Sequence, residues 1–374
     1  MWQLFLHLSA DYLVCMTVWL CLLAVCPVLL VRLRRRLGKD PKKRKWIFIG
    51  LSGWMCLACL TAAELGFALL YDTTDSFSMT NCSRRWFDVH VTPDLKTLEF
   101  SNGTGIEYRD TQQVPRPGLR NTWGRHVCLL GDSFTFGHGV AVVQDRFSNR
   151  LQALLNRSHT QPDGTASCVV SNLSQPGTDL YWVESVLQNM FRDDYQIDDV
   201  VYVMCLNDIE AFHDPTMSES INQARFEPPT VLLRETYFLN WAWFRFQQAS
   251  QSSGRDYYGF VEGLYAGQPW HRFRTRLRSV QRLCVRNGCS FSVVVFPFLH
   301  SSRGDRFDPV RRKITAACRQ DGIVAIDLEE AFHGQRAEQL TVNAFDAHPN
   351  ERAHQLVAEF LAPKLKPDAT PLDP

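Results

Sequence analysis

The sequence predicts an α/β protein: a doubly wound, mainly parallel sheet preceded by an N-terminal hairpin of two membrane-spanning helices. Three observations carry this expectation. Two long apolar runs near the N-terminus enclose a dense basic segment. From residue 126 onward, short apolar runs alternate with stretches of helical length. Those short runs are continuously apolar rather than alternating, as parallel strands covered on both faces must be. At 374 residues the chain is long enough for one large domain or two smaller ones.

The hairpin comes first, over residues 1–71. Tyr12 to Val31 is an uncharged run of 20 residues, enough for a helix to cross about 30 Å of hydrocarbon. Trp46 to Ala63 is a second uncharged run of 18, and Leu65 to Tyr71 prolongs it beyond a single Glu64. Glu64 is expected at the helix end, near the interface. Between the runs, residues 32–45 hold nine Lys or Arg against one Asp, a net of +8 in a chain whose formal charge is +1. The remainder is therefore acidic, which argues against nucleic acid, whose partners carry positive charge on the folded body. Short loops rich in Lys and Arg stay in the cytoplasm. The segment after about residue 72 is then expected on the periplasmic or extracytoplasmic side of a cell (inner) membrane, held by residues 12–31 and 46–71. The first run lacks the basic start and small-residue cleavage site of a signal peptide and is expected to remain.

Five of the twelve cysteines lie in the apolar runs, where they behave as small hydrophobes. The other seven show no C-x-x-C spacing, so no zinc site is expected, and no cofactor-binding motif stands out. Cys284 and Cys289 are the nearest pair and could bridge in an oxidising compartment.

Residues 72–125 read as a linker and strand-poor lead-in. The main domain is expected over 126–366, with 367–374 as a tail. Strands are expected at Val127–Leu130, Cys168–Asn172, Asp199–Cys205, Ser290–Phe296 and Ile323–Asp327. Helices are expected at Arg146–Leu155, Leu180–Phe191, Trp270–Arg286, Pro309–Arg319 and Glu351–Leu365. An aromatic-rich insertion at 209–269 interrupts the order. It reads as a helical cap over the strand ends, lining a groove, lying against the bilayer or forming the core of a sub-lobe.

Polar residues collect where the strands end. The first strand runs into Gly131-Asp132-Ser133, which places a hydroxyl just past its carboxyl end, where open parallel sheets bind ligands. Ser174-Gln-Pro-Gly177 follows the second strand, and Asn207-Asp208 the third. Asp346-Ala-His348-Pro-Asn350 precedes the last helix, with Pro349 and Asn350 suited to its start.

In that order, these four blocks resemble the SGNH (GDSL-type) hydrolase superfamily, most of all its membrane-anchored bacterial members, over roughly residues 126 to 365. The resemblance implies a flavodoxin-like three-layer sandwich. It implies Ser133 as nucleophile, His348 as its base and Asp346 as the acid orienting that base. The oxyanion donors would be the backbone N–H groups of Ser133 and Gly177 and the side-chain amide of Asn207. Two places depart from the family pattern. Cys205 stands where a glycine usually precedes the Asn. The acid, commonly three residues before the histidine, falls here on Phe345, so that either Asp346 serves or a backbone carbonyl supports His348. Asp208 is expected to be structural. His138 and His300 are candidate substrate contacts, with exposed or loop-bonded histidines as the simpler expectation.

The implied activity is that of a serine ester hydrolase acting on O-acyl groups, acetyl foremost, of glycans or lipids through an acyl-enzyme. A close alternative is a polysaccharide O-acetyltransferase, which would need a multi-span membrane partner to deliver acyl groups. A third is an inactive glycan-binding or scaffold protein, which the chemically competent residue at every position opposes.

Overall fold

The structure is a computed structural model that describes residues 2–37, 41–109, 124–157, 168–213, 227–250, 257–301 and 306–365. The expected tail 367–374 and parts of the basic loop, lead-in and insertion lie outside the described residues. The chain divides into two compact units, residues 1–89 with 225–252, and residues 90–224 with 253–374.

In the first unit, helices Ala10–Leu37 and Pro41–Leu69 contain spans long and apolar enough to cross a membrane, Ala10–Arg36 and Lys45–Leu69. Only 0% and 6% of their most apolar windows is buried within the protein, and Val14, Leu22 and Met55 are among the large apolar side chains turned outward. The helices are joined by the indole N–H of Trp19 to Thr61 Oγ1 at 2.9 Å and that of Trp54 to the Leu23 carbonyl at 2.8 Å.

Glu64, near the end of the second helix, is buried and works as a connector. Its Oε1 accepts the Tyr12 hydroxyl (3.0 Å) and the Tyr237 N–H (2.6 Å), and its Oε2 accepts the Phe238 N–H (2.8 Å). A carboxylate thereby satisfies the exposed donors that begin helix Phe238–Ser250. Arg85 serves the opposite polarity, donating to the Phe67 and Tyr71 carbonyls at 3.1 and 2.9 Å where the span helix runs out. Phe67 meets Phe238 and Trp241 edge-on or tilted, at 5.2 and 5.1 Å between ring centroids.

The insertion 209–269 is divided between the units: residues 225–252 group with the span helices, while helix Tyr257–Leu264 belongs to the second unit. The aromatic run 237–246 is apolar enough to pack on either surface, and rings at the helix ends receive it. The lead-in is also more structured than expected, holding helix Asn81–His90 and the antiparallel hairpin of β1 (Leu95–Glu99) and β2 (Gly105–Arg109).

The second unit contains the expected sheet. Its strands are β3 (Arg125–Gly131), β4 (Cys168–Asn172), β5 (Asp199–Cys205), β6 (Ser290–Phe296) and β7 (Val324–Asp327). They lie in the order β4-β3-β5-β6-β7, all parallel, the flavodoxin-like arrangement. In this strand order the general rule of right-handed crossovers assigns helix Phe147–Asn156 to one face and helices Leu180–Arg192 and Gln268–Arg286 to the other. In keeping with this, Phe147–Asn156 packs on the final helix Glu351–Leu361, and Leu180–Arg192 on Gln268–Arg286. Three strands match the sequence expectation at both ends, and the other strands of this sheet and its helices match to within four residues. The central strand β5 is almost wholly buried from Val200 to Cys205, and each large apolar side chain there contributes roughly 1.5–3 kcal/mol. Cys284 and Cys289, the pair that could bridge, are both buried thiols, and Cys289 Sγ donates to the Cys284 carbonyl at 3.3 Å.

Candidate active site

Strand β3 has β4 on one side and β5 on the other. The chain leaves it at the point where strand order reverses, the usual position of a ligand crevice. It leaves through Gly131, where a Cβ would lie 2.5 Å from the Val203 carbonyl oxygen and closer still to Thr135 Oγ1, so no larger residue fits. Asp132 caps the single helical turn Ser133–Phe136, its Oδ1 accepting the Phe134 N–H at 2.9 Å. Burial pushes the Asp132 carboxyl up to about 7, against the backbone N–H groups of Phe134 and Thr135, which favour its charge. The turn closes at Gly137, whose φ of 81° suits a residue without Cβ. The N–H groups of Gly137 and His138 both donate to the Ser133 carbonyl, at 3.1 and 3.0 Å.

His348 reaches the serine from a second antiparallel hairpin, β8 (Thr341–Asn343) with β9 (Asp346–Pro349). Residues two apart in a strand share a face. That is why the two-residue spacing of Asp346 and His348 works where a three-residue spacing was the family expectation. His348 Nδ1 lies 2.6 Å from Asp346 Oδ1, and His348 Nε2 lies 2.8 Å from Ser133 Oγ. Asp346 Oδ1 also accepts the His348 backbone N–H at 3.1 Å. An ionised carboxylate can only accept, so Nδ1 carries the proton and Nε2 turns its lone pair to the hydroxyl. Asn350 fixes the hairpin to the last helix, accepting the N–H groups of Arg352 and Ala353 and donating to the Gln339 and Thr341 carbonyls.

Asp346 is 0% exposed. Burial acts to raise its pKa, but hydrogen bonds from His138 and His348 outweigh it and hold the carboxyl well below the ordinary range. Asp346 is thus a buried carboxylate whose charged form is favoured and whose Oδ1 faces the His348 ring.

The two remaining blocks also stand at strand ends. The turn holding Gly177 is laced to β3: the Gln175 N–H and the Thr178 hydroxyl both reach the Gly131 carbonyl, at 3.3 and 3.0 Å. Gly177 itself is exposed, with a φ of 73° and no heavy atom within 4 Å of where a Cβ would stand. Asn207 opens the turn Leu206–Phe212 directly after β5, and its side-chain oxygen is buried without a protein partner. Asp208, expected to be structural, accepts the Tyr202 hydroxyl at 2.5 Å and the Cys205 N–H at 3.2 Å. That bond also explains Cys205 in the place of a glycine. Its backbone is extended (φ −86°, ψ 151°), so no left-handed residue is needed.

Of the two candidate contact histidines, His300 lies exposed on the turn Leu299–Ser301, which packs against β9. His138 is not exposed: it is only 3% accessible, with Nε2 3.3 Å from Asp346 Oδ2 and its ring stacked on that of His348 at 4.1 Å. Its place in the sequence, five residues after the serine and between two glycines, was the available signal. His138, Asp346 and His348 also lie close enough to share a metal. Both ring nitrogens of His348 already face hydrogen-bond partners, however, Ser133 and Asp346.

No family model and no curated protein matches the chain. Among solved structures, it is similar to TesA, with 16% identity and a TM-score of 0.40, covering 65% of this chain and 99% of that one. A G-D-S-L family protein from Desulfitobacterium hafniense shows 12% identity and a TM-score of 0.37, covering 63% and 97%. An acetylxylan esterase from Geobacillus stearothermophilus shows 15% identity and a TM-score of 0.38, covering 65% and 95%.

Proposed function

We propose that this chain is a membrane-anchored serine ester hydrolase that works outside the cytoplasm on O-acyl groups of glycans or lipids, acetyl foremost. One observation carries the reading: the His348 ring bridges Ser133 Oγ and a buried, ionised Asp346. In this mechanism Ser133 Oγ attacks the ester carbonyl while His348 Nε2 takes its proton. The oxyanion is met by the N–H groups of Ser133 and Gly177 and by the Asn207 amide. The unpartnered buried oxygen of Asn207 supports an amide side chain kept for a ligand, since its two ends exchange by rotation. Collapse of the intermediate breaks the ester C–O bond, and His348 returns the proton to the leaving alcohol. Water, deprotonated by the same base, then releases the acid.

The location rests on two helices long and apolar enough to span a bilayer and on the basic loop between them, which favours the cytoplasm. With only two such helices described, acyl transfer to a sugar would need a separate membrane partner to supply acyl groups. The test is turnover of a chromogenic acetyl ester by the full chain in detergent, with and without a sugar acceptor. Release to water that is lost in Ser133→Ala is the expected result. Acceptor acylation outrunning release would identify a transferase, and no turnover by folded protein with any acyl length would reject the enzyme.

A further inference from the structure

We infer that His138 is a positioning residue for this reaction: a second imidazole that binds the outer oxygen of Asp346 and so holds the acid in line with His348. The inference rests on the esterase reading above and extends it by one residue. Asp346 Oδ1 is engaged by the ring and the backbone N–H of His348. Oδ2 is likewise charged and lies in a fully buried side chain, where a hydrogen-bond donor is worth most. His138 Nε2 stands 3.3 Å from it. Because the carboxylate only accepts, Nε2 is the protonated nitrogen and His138 the donor.

The position is built, not accidental. The turn that carries Ser133 ends at Gly137, and the His138 N–H returns to the Ser133 carbonyl at 3.0 Å. Nucleophile and supporting histidine are thus fixed on one short piece of backbone. The His138 ring then stacks on His348 at 4.1 Å with 30° between planes, which restrains the base from rotating away from Ser133. One side chain therefore does two separable things: it donates a hydrogen bond to Asp346 and it packs on His348.

Two substitutions separate them. His138→Phe keeps a ring to stack and removes the donor; His138→Gln keeps an N–H donor and removes the ring. With an acetyl ester and the full chain in detergent, His138→Phe should lower kcat by about 10- to 100-fold with KM unchanged. His138→Gln should stay within about threefold of wild type. A wild-type kcat in His138→Phe, a Gln variant as impaired as the Phe variant, or an effect confined to KM would each overturn the inference, the last by making His138 a substrate contact. Should His138→Phe fail to fold, the Gln variant decides: near-normal kcat supports the role and a loss overturns it. An inactive wild type would instead refute the esterase reading itself.

Discussion

Two buried carboxylates, one in each unit, do opposite work with similar geometry. Glu64 and Asp346 are both nearly inaccessible, and each gathers hydrogen bonds from residues distant in sequence. Glu64 is met by two backbone N–H groups and a tyrosine hydroxyl, donors that keep their protons near neutral pH. It can only hold things together: it ties helix Phe238–Ser250 to the span helices. Asp346 is met by a backbone N–H and two imidazoles, and one of those rings reaches on to the Ser133 hydroxyl. The comparison teaches that burial and hydrogen bonding alone do not mark a reactive site. The serine hydroxyl on the far side of the His348 ring does.

Substitutions at the two carboxylates should therefore separate rate from stability. Asp346→Asn removes the charge that fixes the His348 tautomer and steadies its cation, and kcat should fall by about 10⁴-fold in a protein that still folds. Its pH behaviour has a definite sign. The folded pKa of Asp346 is depressed, so the stability it contributes is present above its unfolded value of about 4 and lost as the pH falls below that. An acid unfolding profile of the Asn variant should lack that component. Asn207→Ala, on the same sheet edge but outside the proton relay, should lower kcat by about 10²–10³-fold with little change in unfolding temperature. Glu64→Gln should show the reverse pattern. Placing an amide N–H₂ against backbone donors should cost the first unit about 1–3 kcal/mol, read as faster proteolysis of residues 227–250 in nanodiscs. Turnover of a small soluble ester should stay within about twofold of wild type. A Glu64→Gln enzyme as inactive as Asp346→Asn would break the contrast.

The sheet was legible because its signal is local. Continuous apolar runs of strand length located all five strands, and the Gly, Ser and Asn residues after the first three marked the edge that carries Ser133, Gly177 and Asn207. The spacing of Asp346 and His348 is likewise a one-strand property. What stayed hidden depends on distant pairing. The aromatic run 237–246 is periodic in itself, but nothing in it states that Phe67, Tyr71 and Tyr12 are its neighbours. The part of His138 was hidden for the same reason: its partner oxygen lies some 200 residues further along the chain. Charge patterning suggested where the basic loop should lie, but not that Glu64 would bind the insertion.

The central claim is that Ser133 is an activated nucleophile, and covalent capture tests it most directly. The full chain, incubated with a fluorophosphonate and digested, should carry a single adduct by mass spectrometry, on the peptide containing Ser133. The adduct should be absent in Ser133→Ala and form far more slowly in His348→Ala. A folded wild-type protein left unlabelled at Ser133, or labelled there at the same rate without His348, would contradict the account.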